Sequence, residues 1–559
     1  GRAHVLVLLR VLQLLRDVRH VALRSAGGVG GAAPWVVGTK GTPPRKLAIE
    51  VHADDKANTE TAATFTRDAT DYALSPDETH AVVVVHGELF LTKTTGGKAT
   101  RLTDSPAFDH APHWSPDGKR VLFASDRTGV EELYSLEPDD PEHAEFTKAH
   151  RFKVTPLTRS AEEESAATFA PTGDRVAYLR AGQLWTMKPD GTGQTVLVDA
   201  PRVFDYDWSP DGKWLAFARM DGAFASEVYV VPADGSEKPR NVTRYATYNG
   251  DVTWSRTGNK LAFIGQRRGS FAVHVLPLQK PGGDAGLDWD DIHLRATKPT
   301  GTTAETAAIS PDGSKVAFRS LANGDDLWVV SADGGSLTRV TTGDQSPKQI
   351  RWAKKGDGLI YFLNGRGELR TARVGGGDPG QVKFSAALTV RRDEEFAEMF
   401  AQSWRALADG FYDPKHHGAD WPAVREKYAP LVREVACKED LYALVSLMLG
   451  ELNASHLGIG GKLPTADDPT ADLGLIFDEN YRGPGRRIAE VLMRGPADRK
   501  GLSLRPGDVV CAVDRTPLDD TVSLSRLLSG KVGEGVRLDV SDTPADRATW
   551  KRVEVVAVA

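Results

Sequence analysis

A four-residue turn motif recurs seven times through the middle of this 559-residue chain, and that recurrence limits the folds open to it. The copies are Ser75-Pro76-Asp77-Glu78, Ser115-Pro116-Asp117-Gly118, Ala170-Pro171-Thr172-Gly173, Ser209-Pro210-Asp211-Gly212, Ser255-Arg256-Thr257-Gly258, Ser310-Pro311-Asp312-Gly313 and the worn Ala353-Lys354-Lys355-Gly356. Ser, Pro, Asp and Gly in that order suit positions i to i+3 of a type I turn. An aromatic often precedes each copy, as at Trp114, Phe169, Trp208, Trp254 and Trp352, and a buried-type strand such as Leu215-Ala216-Phe217 follows. A third strand (Val228–Val231, Leu327–Val330) and an Asp-Gly hairpin signal (Asp190-Gly191, Asp234-Gly235, Asp333-Gly334) leading to a fourth complete a four-stranded unit. Spacings of about 40 to about 55 residues match propeller blades, so residues 53–390 predict a seven-bladed β-propeller in a mainly β chain.

Composition narrows the function classes. Lys+Arg is 70 against Asp+Glu 76, a formal charge of -6, which gives no electrostatic case for nucleic acid or an anionic membrane as partner. Cys437 and Cys511 cannot build a disulfide framework or a Cys-based zinc site. The apolar run Val5–Leu15 is too short to span a bilayer. Residues 1–33 read as an undefined amino-terminal segment, and only loosely as a signal peptide. Trp35–Val37 and Leu47–Glu50 read as two strands of a partial blade at 34–52, taken as the remnant of a preceding propeller. The alternative is that it closes the ring. The last full blade has its own fourth strand in Val382–Val390.

After the propeller the period changes to 3.6. Phe396, Phe400, Trp404, Leu407 and Phe411 lie on one helix face. Two more helices are expected, from Trp421-Pro422 and from Lys438, giving a helical segment over 391–461 and a linker at 462–472. In the remainder, 473–559, Leu473-Gly474-Leu475-Ile476-Phe477, Pro496–Leu502 and Pro506–Val510 together resemble a PDZ domain of the bacterial kind. Gly474, Leu475, Ile476 and Phe477 would then form the peptide-binding loop, adding a peptide strand to a sheet edge.

No Gly-x-Ser-x-Gly elbow, phosphate loop or His-Glu-x-x-His helix is present. His110 and His113 sit three apart on a strand and so face opposite ways, and His416-His417 read as a solvated or capping loop pair. No metal or other cofactor is expected. Ser455-His456 carries little meaning alone. It gains meaning from Phe411-Tyr412-Asp413-Pro414, His417-Gly418-Ala419-Asp420-Trp421 and Leu449-Gly450-Glu451-Leu452-Asn453-Ala454-Ser455-His456, a series that resembles the tricorn-type peptidases. These are serine peptidases related to the carboxyl-terminal processing proteases. The resemblance implies His456 as general base, a role suited to an imidazole, with Ser455 supporting the site. It also implies peptide or unfolded polypeptide substrates, a homo-hexamer, and a propeller that passes peptides to the core. The nucleophilic serine is expected beyond Ala559, leaving this chain inactive alone. A cytoplasmic location is expected, with the periplasm as alternative. The competing reading is a non-catalytic propeller–PDZ peptide-binding or scaffold protein.

Overall fold

Each Ser-Pro-Asp-Gly stretch closes on itself in the same way. The Ser115 carbonyl accepts the Gly118 N–H at 2.9 Å, and Gly118 takes a φ of 71°, where a side chain is disfavoured. Ser115 Oγ donates to Asp117 Oδ1 at 2.6 Å and accepts from Arg120 N at 2.9 Å, which starts the next strand. The Ser–Asp bond repeats at Ser75, Ser209 and Ser310. A Cβ on Gly118 would lie 3.7 Å from Pro76 Cδ, and one on Gly173 at the same distance from Pro116, so these turns pack on the proline of the turn before; Gly212 and Gly313 instead face Thr172 and Ser255.

The computed structural model describes residues 35–36, 45–46, 60–280, 286–355, 357–375, 379–461, 469–478, 480–519 and 522–558. The chain divides into two compact units, Gly1–Gly458 and Ile459–Ala559. In the first unit, seven antiparallel sheets follow one another among the described residues, beginning with the strands at Ala69–Leu74, Asp109–Trp114, Glu164–Phe169, Val203–Trp208, Asn249–Trp254, Ala307–Ile309 and Lys348–Trp352. The first sheet packs on the seventh: Tyr72 Oη donates to the Gln349 carbonyl at 2.8 Å, and Val83 and Phe90 share a core with Tyr361 and Leu369. The ring is a β-propeller.

Trp114, Trp208 and Trp352, each just before a turn, join neighbouring sheets. The Trp114 indole N–H donates to the Ala73 carbonyl one sheet back at 3.2 Å, and that of Trp352 to Ala308 at 2.8 Å. Second strands are enclosed on both faces. Val121, Leu122 and Phe123 are each 0% exposed, and burying such a side chain contributes about 1.5–3 kcal/mol.

Two expectations fail here. Among the described residues the fifth sheet has three strands rather than four, extended only by a Val275–Thr297 bridge; Trp289 meets Trp214 edge-on at 5.5 Å. The fourth strand of the last sheet is only Gly380–Gln381. The following strand, Phe384–Arg391, leaves that sheet, pairing antiparallel with Glu60–Phe65 and parallel with Gly97–Lys98. Its alternate residues Phe384, Ala386 and Leu388 are buried in the core between the first and seventh sheets, which is what draws it there. Of the partial blade, Trp35–Val36 pairs with Arg45–Lys46; the rest of 34–52, residues 1–33 and most of the linker lie outside the described residues.

Helices α1 (Arg392–Gly410), α2 (Trp421–Tyr428) and α3 (Lys438–Gly450) complete the first unit. The second unit orders its strands Leu475–Phe477, Arg486–Val491, Val509–Val513, Gly535–Ser541 and Lys551–Val556 side by side around Ile488, Val510, Leu538 and Val555, with a short helix α4 at Leu524–Leu528. No helix among the described residues is long and apolar enough to cross a membrane.

Candidate active site and peptide-binding edge

The helical segment is seated on the propeller by charge. Arg405 spans Asp126 of the second sheet and Glu398 of its own helix, each at 2.6 Å, and Gln402 Nε2 donates to Asp126 at 2.9 Å. Nearby, Glu395 faces His86 at 3.5 Å and Lys438 at 3.6 Å. Burial opposes the charge on Glu395, but His86 and Lys438 outweigh it and hold its carboxyl below the usual value; in turn the Glu395 hydrogen bond raises His86.

Inside the segment, two tryptophans lock α1 to α2. Their rings stack at 6.3 Å and 8°, and each indole N–H donates to the other's backbone carbonyl, at 2.9 and 3.1 Å. Asp420 caps α2 through the Ala423 N–H at 3.1 Å, with Pro422 in the first turn. His416 stacks on Trp421 at 5.6 Å and on Phe411 at 5.7 Å. Helix α3 runs on a buried face of Leu441, Leu444, Val445, Met448 and Leu449 and ends at Gly450. Past it, Glu451 takes Tyr428 Oη at 2.7 Å and Lys427 Nζ at 2.5 Å; Lys427 and Tyr428 together lower its carboxyl.

Ser455 and His456 follow on an exposed turn, with His456 at φ 62°. A non-glycine residue in that region is uncommon and costs energy. The imidazole is thus presented outward, where a reacting group from elsewhere could approach it. Of the solvated or capping reading of His416-His417, capping describes His417, which is exposed and meets the Leu452 carbonyl at 2.9 Å, while His416 is half-buried and stacked between rings. His113 is half-buried, accepts the Phe169 N–H at 3.3 Å, and loss of solvent around it pushes it down to about 3; His110 pairs with Glu131 at 3.1 Å.

The propeller encloses a cavity of about 850 Å³ lined by Pro76, Trp114, Phe169, Asp207, Trp254 and Arg351. On its inner strands, carboxylates of one sheet accept backbone N–H groups of the next. Asp71 takes Ala111 at 2.8 Å, Asp205 takes Val252 at 2.5 Å and Asp207 takes Trp254 at 2.7 Å. Enclosure pushes Asp205 up to about 7, helped by the nearby Asp251, and Asp207 up to about 6. The sequence offered no sign of these contacts, because they depend on register between neighbouring sheets.

In the second unit, Gly474 has φ 69°, and a Cβ there would sit 2.8 Å from Pro496 Cδ, so the loop needs glycine at this point. Its N–H donates to Asp472 Oδ1 at 2.6 Å and its carbonyl accepts from Leu492 N at 2.9 Å. Leu475, Ile476 and Phe477 form the end strand of the sheet, pairing on one side only with Arg486–Val491 among the described residues. Ile476 is 45% exposed and Met493 82% exposed, which leaves an open, partly apolar edge.

These features define a propeller protein with an appended helical segment and a PDZ domain. Comparison with known proteins sharpens the class. Residues 392–450 match the tricorn protease C1 domain and residues 484–559 the tricorn protease PDZ domain. Tricorn protease homolog 2 of Streptomyces coelicolor is 24% identical over 441 residues, 69% of this chain and 36% of that one. The tricorn protease of Thermoplasma volcanium is 26% identical over 192 residues, 32% of this chain and 18% of its own length. A crystal structure of the tricorn protease superposes with a TM-score of 0.63 over 94% of this chain and 55% of that one, at 14% identity. Over these stretches the chain is similar to the tricorn proteases. It spans about a third or less of the two relatives matched in sequence.

Proposed function

We propose that this chain is the propeller, C1 and PDZ portion of a tricorn-like serine peptidase that hydrolyses oligopeptides or unfolded polypeptides. His456 is the general base, Ser455 supports it, and the nucleophilic serine comes from sequence following Ala559. One observation carries the reading: His456 stands exposed on a left-handed turn next to a buried anchor, Leu452, which is 0% exposed. Such an imidazole is free to take a proton from a serine brought within hydrogen-bond reach. The open edge at Leu475–Phe477 supports strand addition of a peptide, and the partly open cavity of the propeller supports its passage. By family resemblance the assembly is a homo-hexamer in the cytoplasm.

The test uses a fluorogenic peptide. The full-length enzyme is expected to turn it over, His456→Ala in that enzyme to lose at least about 10³-fold in kcat, and the 559-residue chain to show no turnover. Turnover by the 559-residue chain that survives His456→Ala would overturn the assignment.

A further inference from the structure

We propose that His417 is a positioning residue for His456, acting through the backbone of Leu452. The proposal rests on the reading of His456 as the base. Helix α3 leaves its last carbonyls without intrahelical partners, and Leu452 lies just beyond its end. The Leu452 carbonyl meets His417 Nδ1 at 2.9 Å, across 35 residues of sequence. A carbonyl can only accept, so the proton sits on Nδ1. In the neutral ring Nε2 then carries a lone pair, and it faces the Tyr412 hydroxyl, which donates to it. Both ring nitrogens are engaged, which fixes the tautomer and the plane of the ring.

The ring is held from behind as firmly as it holds Leu452. His416 and His417 adopt φ values of 50° and 54°, two consecutive non-glycine residues in the left-handed region. Such conformations persist where the surroundings over-determine them. Here the Asp413 carboxylate accepts the Lys415 N–H at 3.0 Å and the His417 N–H at 2.9 Å, and His416 is stacked between Phe411 and Trp421. Leu452 has its side chain in the core and its carbonyl on His417, so its peptide plane is fixed at both ends. The chain then turns through Asn453 at φ 46° to His456 at φ 62°, four residues on, and the direction of the His456 ring follows from that fixed plane.

The experiment compares His417→Ala with His417→Asn in the full-length enzyme; the Asn side-chain amide stands where Nδ1–H does. His417→Ala is expected to lower kcat about 10²-fold with KM within about 2-fold, and His417→Asn to recover to within about 10-fold of the parent. In the 559-residue chain, hydrogen exchange at 453–458 should rise in His417→Ala while the propeller strands stay protected. An unchanged kcat in His417→Ala, no recovery in His417→Asn, or exchange rising equally across the propeller rejects positioning. His456→Ala separates the two ideas. If it is inactive while His417→Ala is fully active, only the role of His417 falls; if it is active, the reading of the base falls and this proposal with it.

Discussion

In the propeller the same backbone problem is solved by the same residues sheet after sheet, Ser209 and Asp211 repeating what Ser115 and Asp117 do. The segment 392–458 solves each of its problems once. The Trp404–Trp421 pair, the Asp420 cap and the consecutive left-handed pair His416-His417 have no second copy there. A repeat spreads each loss over many equivalent contacts, whereas a singular segment concentrates it. The candidate base sits in the singular part. Precise presentation of one imidazole needs a particular set of contacts, and a set that is repeated around a ring cannot single out one position.

The sharpest way to break this contrast is Trp421→Ala. Trp421 is 2% exposed, stacks on both Trp404 and His416, and exchanges indole hydrogen bonds with Trp404. Removing a buried tryptophan costs about 3–5 kcal/mol. We expect the segment 392–458 to become protease-sensitive while the propeller keeps its melting temperature. If both loosen together, the two regions are one cooperative body and the contrast fails.

A smaller effect separates two sets of acids within the propeller. Asp205 is raised to about 7, first by enclosure and then by Asp251. A carboxyl raised in the folded state takes up protons on folding. Its contribution is complete below the unfolded value of about 4 and is lost as pH rises through about 7. Thermal melts should therefore fall between pH 5 and pH 8. Asp205→Asn keeps an acceptor for the Val252 N–H and removes the enclosed charge, so its unfolding free energy should exceed the parent's at pH 8 by roughly 1–3 kcal/mol and converge with it below about pH 4. Parallel pH curves for the two proteins would show that Asp205 does not titrate in this range.

The propeller was readable in the sequence because its signals are local. Turn chemistry, the aromatic before it and the apolar run after it all lie within about ten residues in each copy. What was not readable depends on distant pairing. Phe384–Arg391 looks like the outer strand of its own sheet, and only the core around Tyr72 and Phe90 decides that it pairs with Glu60–Phe65 instead. Ser455-His456 was found through family resemblance, not through any local rule. His417 was visible as a loop histidine, but its acceptor lies 35 residues away and is a backbone carbonyl that no side-chain pattern marks. The enclosed acids are hidden for the same reason, since Asp205 meets Val252 across 47 residues.

The smallest effect tests the repeat itself. Asp77 and Asp312 are held at about 2. At Asp77 the Ser75 hydrogen bond is the largest cause; at Asp312 burial opposes, and Ser310 and Ser314 outweigh it. These carboxyls are lowered, the reverse of Asp205, so what they contribute is present above the unfolded value of about 4 and lost as pH falls through about 2. Each also accepts a backbone N–H, from Thr79 at 3.1 Å and from Ser314 at 3.0 Å. Alanine at either position should cost about 0.5–1.5 kcal/mol at pH 7 in denaturant unfolding, with the same cost at Asp117 and Asp211, where the bonds have the same pattern. Thr257, which stands at the equivalent place in the fifth sheet and bonds Ser255 Oγ at 3.1 Å without a carboxylate, should cost less and show no acid dependence. Equal costs at the four aspartates would mark the turns as interchangeable parts. A single aspartate with a cost several times the others would mean that one sheet carries a load the repeat does not share, and the propeller would then resemble the helical segment more than its sequence implies.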